Sequence, residues 1–262
     1  MFLKRYYHSV KIGHIRQCGS AYHESLYFSP KVKLKFVMAG GILAIMENNS
    51  SYFASLPYII AVVSVPDPLL AAETSRALLD GGVRVMELAL RNPAGIESIK
   101  KIRLMTPEMT VGAGTVLRQE QVKQVIDAGA SFAVSPGFNP LVAETAMAHN
   151  LPFAPGIATP SDIEGALQSG LTTMKVFPAK YLGGIQYMKS IYTPYAHLGI
   201  RFIPLGGLEA DDITAFLKEE MIISIGGSWI APVKDIENRD WKKIRERAAA
   251  AVELVKQGGG RI

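Results

Sequence analysis

Lys175 lies in the run Thr172-Thr173-Met174-Lys175-Val176-Phe177-Pro178-Ala179, an apolar, β-prone stretch with the character of a buried strand. Lysine is almost never fully buried unless it is paired or has chemistry to perform. Desolvation disfavours an ammonium, and a desolvated lysine becomes a usable amine nucleophile. A strand-end lysine in apolar surroundings is therefore a candidate Schiff-base former with a carbonyl substrate. The alternative is a side chain that snorkels to a rim and only carries charge.

A second strand-like run, Val83-Arg84-Val85-Met86-Glu87-Leu88-Ala89-Leu90-Arg91, has two charges that interrupt its apolar pattern. Glu87 and Arg91 are four apart, so a period of two points both to one side of a sheet. With Lys175 facing the same way, one interior would hold a carboxylate, a guanidinium and an amine. An ordinary buried ion pair between Glu87 and Arg91 is the competing reading. Such a pair is often no better than apolar packing, which favours a functional Glu87.

Glycine-rich turns follow other strand-like runs. Gly112-Ala113-Gly114-Thr115-Val116 offers close backbone approach and a hydroxyl at Thr115. Ser135-Pro136-Gly137 and Pro155-Gly156-Ile157 are tight turns of the same kind. Pro204-Leu205-Gly206-Gly207 and Ile225-Gly226-Gly227-Ser228 carry two glycine pairs late in the chain. Paired glycines leave backbone N–H groups open to an anion; each pair alone also fits a plain turn, but two pairs in these two loops favour phosphate binding.

The elements that must position these residues alternate at barrel spacing. Strands are expected at Tyr58–Val65, Val83–Leu90, Met109–Ala113, Ser131–Ser135, Pro152–Pro155, Thr172–Phe177, Arg201–Pro204 and Ile222–Ile225. Helices are expected at Leu69–Leu79, Ala94–Met105, Gln119–Ala128, Pro140–His149, Thr159–Gln168, Ile185–Tyr192, Ala210–Lys218 and Trp241–Lys256. Gly81-Gly82 and Gly129 each stand where a helix would close before a strand. Apolar runs without alternation imply strands covered on both faces. Eight such βα units predict an α/β fold, a single-domain (β/α)8 TIM barrel over residues 51–262, with an open doubly wound sheet as the alternative. In a barrel the C-terminal strand ends form the active site, and the loops after strands seven and eight are where phosphate binds.

Residues 1–50 are expected to be an N-terminal extension outside the fold. Residues 1–45 hold seven Lys/Arg and one acid, leaving 21 bases against 22 acids in the rest of the 262-residue chain. The folded part is close to neutral, which argues against a nucleic-acid partner. Phe36–Met46, at 11 residues, is too short to span a bilayer, so no membrane partner is expected. The extension reads either as a transit peptide or as an upstream stretch, with further starts at Met38 and Met46. Cys18 is the only cysteine, which excludes a disulfide framework and suits a cytoplasmic protein. His149 and His197 are the only histidines after residue 45, and neither has metal-ligand spacing. No metal and no cofactor are expected, and composition does not specify an oligomeric state.

From about Pro57 to Lys256 these motifs, in this order, resemble the class I 2-keto-3-deoxy-6-phosphogluconate (KDPG) and 4-hydroxy-2-oxoglutarate (KHG) aldolase family. The resemblance implies that Lys175 forms a Schiff base with the keto carbon of pyruvate or of the six-carbon substrate, and that Glu87 moves protons. It implies that Arg91 and Thr115 hold the pyruvate carboxylate, and that Gly206, Gly207, Gly227 and Ser228 cradle a terminal phosphate. The implied partner is a phosphorylated 2-keto acid, and the implied assembly is a homotrimer. Alternatives are a KHG or 2-dehydro-3-deoxy-6-phosphogalactonate aldolase, or a non-catalytic phosphosugar-binding paralogue. Three positions depart from the family pattern: Leu205 where Thr is common, Lys180 where Glu is usual, and Ser64 where some members have Arg. Lys180 either offsets substrate charge or points to solvent.

Overall fold

The apolar runs form parallel strands covered on both faces. In a computed structural model that describes residues 49–262, they are β1 (Ile59–Val63), β2 (Val85–Ala89), β3 (Thr110–Gly114), β4 (Ala133–Val134), β5 (Phe153–Ala154), β6 (Gly156–Ile157), β7 (Thr173–Val176), β8 (Arg201–Pro204) and β9 (Ile225–Gly227). β5 and β6 are the halves of one strand interrupted at Pro155, which gives the eight strands expected. Parallel pairing runs β5-β4-β3-β2-β1-β9 on one side and β6-β7-β8 on the other. Parallel bridges Phe202↔Ile222 and Leu205↔Gly226 join β8 to the segment around β9. The sheet therefore curls into a TIM-barrel-like ring, as the spacing predicts.

The eighth strand corrects its expected bounds. It covers Ile225–Gly227 rather than Ile222–Ile225, and Gly226 and Gly227 pair with Ile60 and Ala61 of β1. Gly227 is thus the last strand residue instead of part of the loop.

Helices alternate with the strands: α2 (Pro68–Asp80), α3 (Gly95–Met105), α4 (Gln119–Asp127), α5 (Pro140–Ala148), α6 (Pro160–Gln168), α7 (Gly184–Tyr192), α8 (Ile213–Phe216), α9 (Val233–Glu237) and α10 (Trp241–Gln257). Three begin with the same local device. Asp67, Asn139 and Thr159 cap free N–H groups, and each is followed by a proline at the first helical position. α2 closes through Gly82 at φ +89°, and Gly129 at φ +87° follows α4, which agrees with the glycine signals. The helix expected at Ala210–Lys218 is instead a 3-10 turn, Ala210–Asp212, running into the short α8.

Two apolar layers result. Ile60, Val85, Phe132, Val134, Ala154, Ile203, Leu205 and Ile223 fill the ring interior together with Phe53 and Leu56. The larger layer lies between the strands and the surrounding helices. Phe53 and Leu56 come from α1 (residues 49–55) and the turn after it, a helix absent from the sequence expectations. Asn49 in α1 donates to the Phe153 carbonyl at 3.2 Å and accepts from the Phe153 N–H at 2.7 Å. The expected properties of the extension fall almost wholly on residues 1–48, outside the described residues. Among the described residues, no helix is long and apolar enough to cross a membrane.

Candidate active site

β2 delivers Glu87 and β7 delivers Lys175 into the ring. Both are strand residues with apolar neighbours on the opposite face, so alternation turns them inward. They are buried, at 3% and 5% exposure, and Lys175 Nζ donates to Glu87 Oε1 at 2.9 Å. The Phe177 ring centroid lies 5.4 Å from the same nitrogen, within cation–π range. Desolvating both charges opposes much of their attraction, so this pair is weak support for stability and better support for chemistry.

The glycines of β3 have a different job from the one expected of them. A methyl group at 114 would stand 2.1 Å from Glu87 Oε1, and one at 112 would stand 2.2 Å from the Phe132 ring. These glycines make room for neighbouring side chains rather than for a ligand. Gly156 is directly beside Lys175 in the parallel register. A methyl group there would stand 2.2 Å from the Pro136 carbonyl carbon. The buried Ser135 hydroxyl donates to Gly137 O at 2.7 Å and accepts from Gly156 N at 3.3 Å. The motifs Ser135-Pro136-Gly137 and Pro155-Gly156-Ile157 are thus two halves of one backbone contact next to the lysine.

Arg91 lies beyond the strand in which a period of two applies. β2 ends at Ala89, and Arg91 is exposed in the loop that follows, with no ion pair to Glu87. Glu87 pairs with Lys175 instead, which overturns the simple Glu87–Arg91 ion-pair reading. Thr115 follows β3 at φ +62°, a left-handed conformation that costs a non-glycine residue roughly 1–2 kcal/mol. Such strain persists where the surroundings enforce it, often at functional sites.

The glycine turn after β8 is a true left-handed turn, with Gly206 at φ +98° and Gly207 at φ +76°. It is zipped to the segment after β7, because Ala179 N donates to Leu205 O at 2.7 Å and Lys180 N to Gly206 O at 3.0 Å. Leu205 in turn bridges to Gly226, and a methyl group at 226 would stand 2.3 Å from Leu205 Cγ. These contacts bring the Gly206-Gly207 turn beside Gly227 and Ser228. Among the described residues, the N–H groups of Gly207, Leu208 and Ser228 donate to no protein group. Ser228 is exposed, and its hydroxyl is likewise without a protein partner.

All the strands are parallel, so Thr115, Gly206, Gly207, Gly227 and Ser228 lie at one rim of the ring, above Lys175 and Glu87. Sequence reasoning missed Asp212, whose Oδ2 stands 3.9 Å from Lys180 Nζ, because no local pattern links positions so far apart. Among the described residues, no three His, Cys, Asp or Glu side chains are grouped as a metal site. An amine paired to a carboxylate can add to a carbonyl and pass its proton across 2.9 Å.

A model of the KDPG and KHG aldolase family matches residues 51–247. The chain belongs to this family. It is 36% identical over 197 residues to the 2-dehydro-3-deoxy-phosphogluconate aldolase of Treponema pallidum, covering 75% of this chain and 93% of that protein. The crystal structure of the Zymomonas mobilis KDPG aldolase with 3-phosphoglycerate superposes with a TM-score of 0.73 at 33% identity, over 79% of this chain and 95% of that one. The Legionella pneumophila KDPG aldolase, with pyruvate captured as a covalent carbinolamine, gives a TM-score of 0.73 at 32% identity, over 78% of this chain and 97% of that one.

Proposed function

We propose that this protein is a class I aldolase that cleaves 2-dehydro-3-deoxy-6-phosphogluconate to pyruvate and glyceraldehyde 3-phosphate. The buried Lys175–Glu87 contact carries the reading. Lys175 passes a proton to Glu87 and its Nζ attacks the C2 carbonyl, forming a carbinolamine. Loss of water gives an iminium. The C4 hydroxyl then yields its proton, the C3–C4 bond breaks, and its electron pair moves into the iminium, releasing the aldehyde and leaving an enamine. Protonation at C3 and hydrolysis free pyruvate and the lysine. Glu87 is the carboxylate beside the nitrogen for the proton movements.

Arg91 and Thr115 would hold the substrate carboxylate, Arg91 as a planar fork and Thr115 through its hydroxyl. The free N–H groups of Gly207 and Ser228 and the Ser228 hydroxyl suit the terminal phosphate, as part of a cradle with Gly206 and Gly227. The carbinolamine captured in the Legionella pneumophila relative and the 3-phosphoglycerate in the Zymomonas mobilis relative support this assignment.

Borohydride reduction with pyruvate tests it, followed by intact mass and peptide mapping. A reduced adduct on Lys175 is expected, and no adduct sinks the Schiff-base assignment.

We further propose a cytoplasmic homotrimer, with the aldolase barrel over residues 51–262 as its single domain. Family resemblance supports the trimer, and Leu117 and Leu141 supply exposed apolar surface near one rim. Sedimentation equilibrium tests it, and a monomer at micromolar concentration would refute it.

A further inference from the structure

Resting on the aldolase reading above, we propose that Lys180 is the specificity-determining cation for the phosphate end of the substrate, held in reserve by Asp212. Three observations place its charge there. First, the Lys180 backbone is bonded to the glycine turn itself, through its N–H to Gly206 O at 3.0 Å. Second, a methyl group at 207 would stand 3.1 Å from Lys180 Cβ, so the side chain leaves the backbone at the edge of that turn. Third, the turn's next two N–H groups, on Gly207 and Leu208, donate to no protein group among the described residues. A lysine on a flexible stem beside open amides is the composition of a phosphate site.

The ammonium is weakly committed. Its ion-pair partner is Asp212 Oδ2 at 3.9 Å, the outer limit of such a contact, with half of the lysine side chain exposed. Exposed pairs of this kind are worth little. Asp212 Oδ2 has a better partner in the Glu209 N–H, at 2.8 Å, where it closes the turn before α8. A phosphate dianion seated on the glycine turn outcompetes this distant, shared carboxylate, and the lysine swings from one to the other. The consequence is selectivity by charge at the far end of the substrate. A 2-keto acid with a terminal phosphate gains the contact. 4-Hydroxy-2-oxoglutarate ends in a carboxylate bound directly to C4, too short to reach the turn, and gains nothing.

The test compares Lys180→Met and Asp212→Asn with the unaltered protein. The readouts are the ratio of kcat/KM for phosphorylated over unphosphorylated keto acid, and calorimetric affinity for inorganic phosphate. Lys180→Met should lower both by about tenfold, the scale of one hydrogen bond between charged groups. Asp212→Asn keeps a side-chain acceptor for Glu209 N and removes the competing charge, so it should raise both by a few fold. A merely structural Lys180 would not give opposite signs. Unchanged phosphate affinity in Lys180→Met, or equal losses on both substrates, overturns the proposal. Calorimetry on unreacted protein keeps the two readings separable, because failure of the pyruvate trap would overturn the Schiff-base assignment without touching this affinity.

Discussion

Glu87 occupies the space that a side chain at Gly114 would need. A methyl group at 114 would stand 2.1 Å from Glu87 Oε1 and 2.7 Å from its Cγ and Cδ. The carboxylate cannot simply rotate away, since it is buried and receives the Lys175 ammonium. Gly114→Ala should therefore displace Glu87 by about an ångström and lower kcat about 100-fold. Gly112→Ala is the control, because its methyl meets the Phe132 ring and not the carboxylate. Both variants should lose roughly 1–3 kcal/mol in urea unfolding, but only Gly114→Ala should lose the greater part of its turnover. Equal kinetic losses in the two would refute a positioning role for Gly114.

The Lys175–Glu87 pair makes a prediction in which stability and activity part company. Lys175→Ala should abolish turnover and pyruvate trapping while the fold persists. It also leaves Glu87 buried without its cation, a situation that costs roughly 3–5 kcal/mol. Lys175→Met with Glu87→Gln removes both charges at similar volume and should recover most of that loss. Activity should not return. Recovered turnover in the double variant, or measurable turnover in Lys175→Ala, would show that the amine is not the nucleophile.

The strand and helix pattern was legible because both faces of each strand are covered, so apolar runs of strand length alternate with amphipathic ones. Lys175 and Glu87 were legible as charges that break such runs. Their contact was not, since it joins positions 88 apart and depends on the sheet curling until β2 faces β7. The direction of Arg91 was not legible for a local reason: alternation ends where β2 ends, at Ala89, and no longer fixes which way the next residues point. The glycines at 112 and 114 looked like room for a ligand because a sequence does not show that Phe132 and Glu87 fill that room. Ile222-Ile223 drew the eighth strand too early, since glycine is depleted in strands and Gly226-Gly227 looked like a turn. α1 escaped notice because its burial comes from distant partners, Phe132 and Phe153, and not from its own periodicity.

Tyr58 supplies a pH prediction away from the site. Its hydroxyl is buried and has no partner among the described residues, and burial pushes its pKa well above the usual phenol range, with the nearby Arg261 pulling the other way. A raised folded-state pKa means that the unfolded chain ionises first. Stability from the neutral phenol is full below about pH 10, the unfolded value, and is lost progressively as pH rises beyond it. Tyr58→Phe should remove this alkaline loss. At neutral pH it should match or exceed the parent by about 1 kcal/mol, because no buried hydroxyl is left unpaired. Parallel pH–stability curves for the two proteins above pH 10 would contradict the assignment.

The start of the folded unit gives the last prediction. Phe53 is wholly buried and meets the Phe132 ring edge-on, at 5.7 Å between centroids and 75° between planes. Leu56 is buried in the same interior cluster, and Arg261 donates to its carbonyl at 3.2 Å. Asn49 adds the paired bonds to Phe153, which close backbone groups at the start of β5. α1 thus plugs the ring at the end away from Lys175. A chain beginning at Met46 retains every one of these contacts, so it should equal the full chain in solubility, melting temperature and turnover. A chain beginning at Pro57 loses the plug and exposes Phe132, Val85 and Ile60. Removing a buried phenylalanine alone costs roughly 3–5 kcal/mol, so this shorter chain should melt far lower or fail to fold. Thermal unfolding followed by circular dichroism distinguishes the outcomes. Equal melting of the chains beginning at Met46 and at Pro57 would show that α1 is dispensable, and a destabilised Met46 chain would show that residues before 46 belong to the fold.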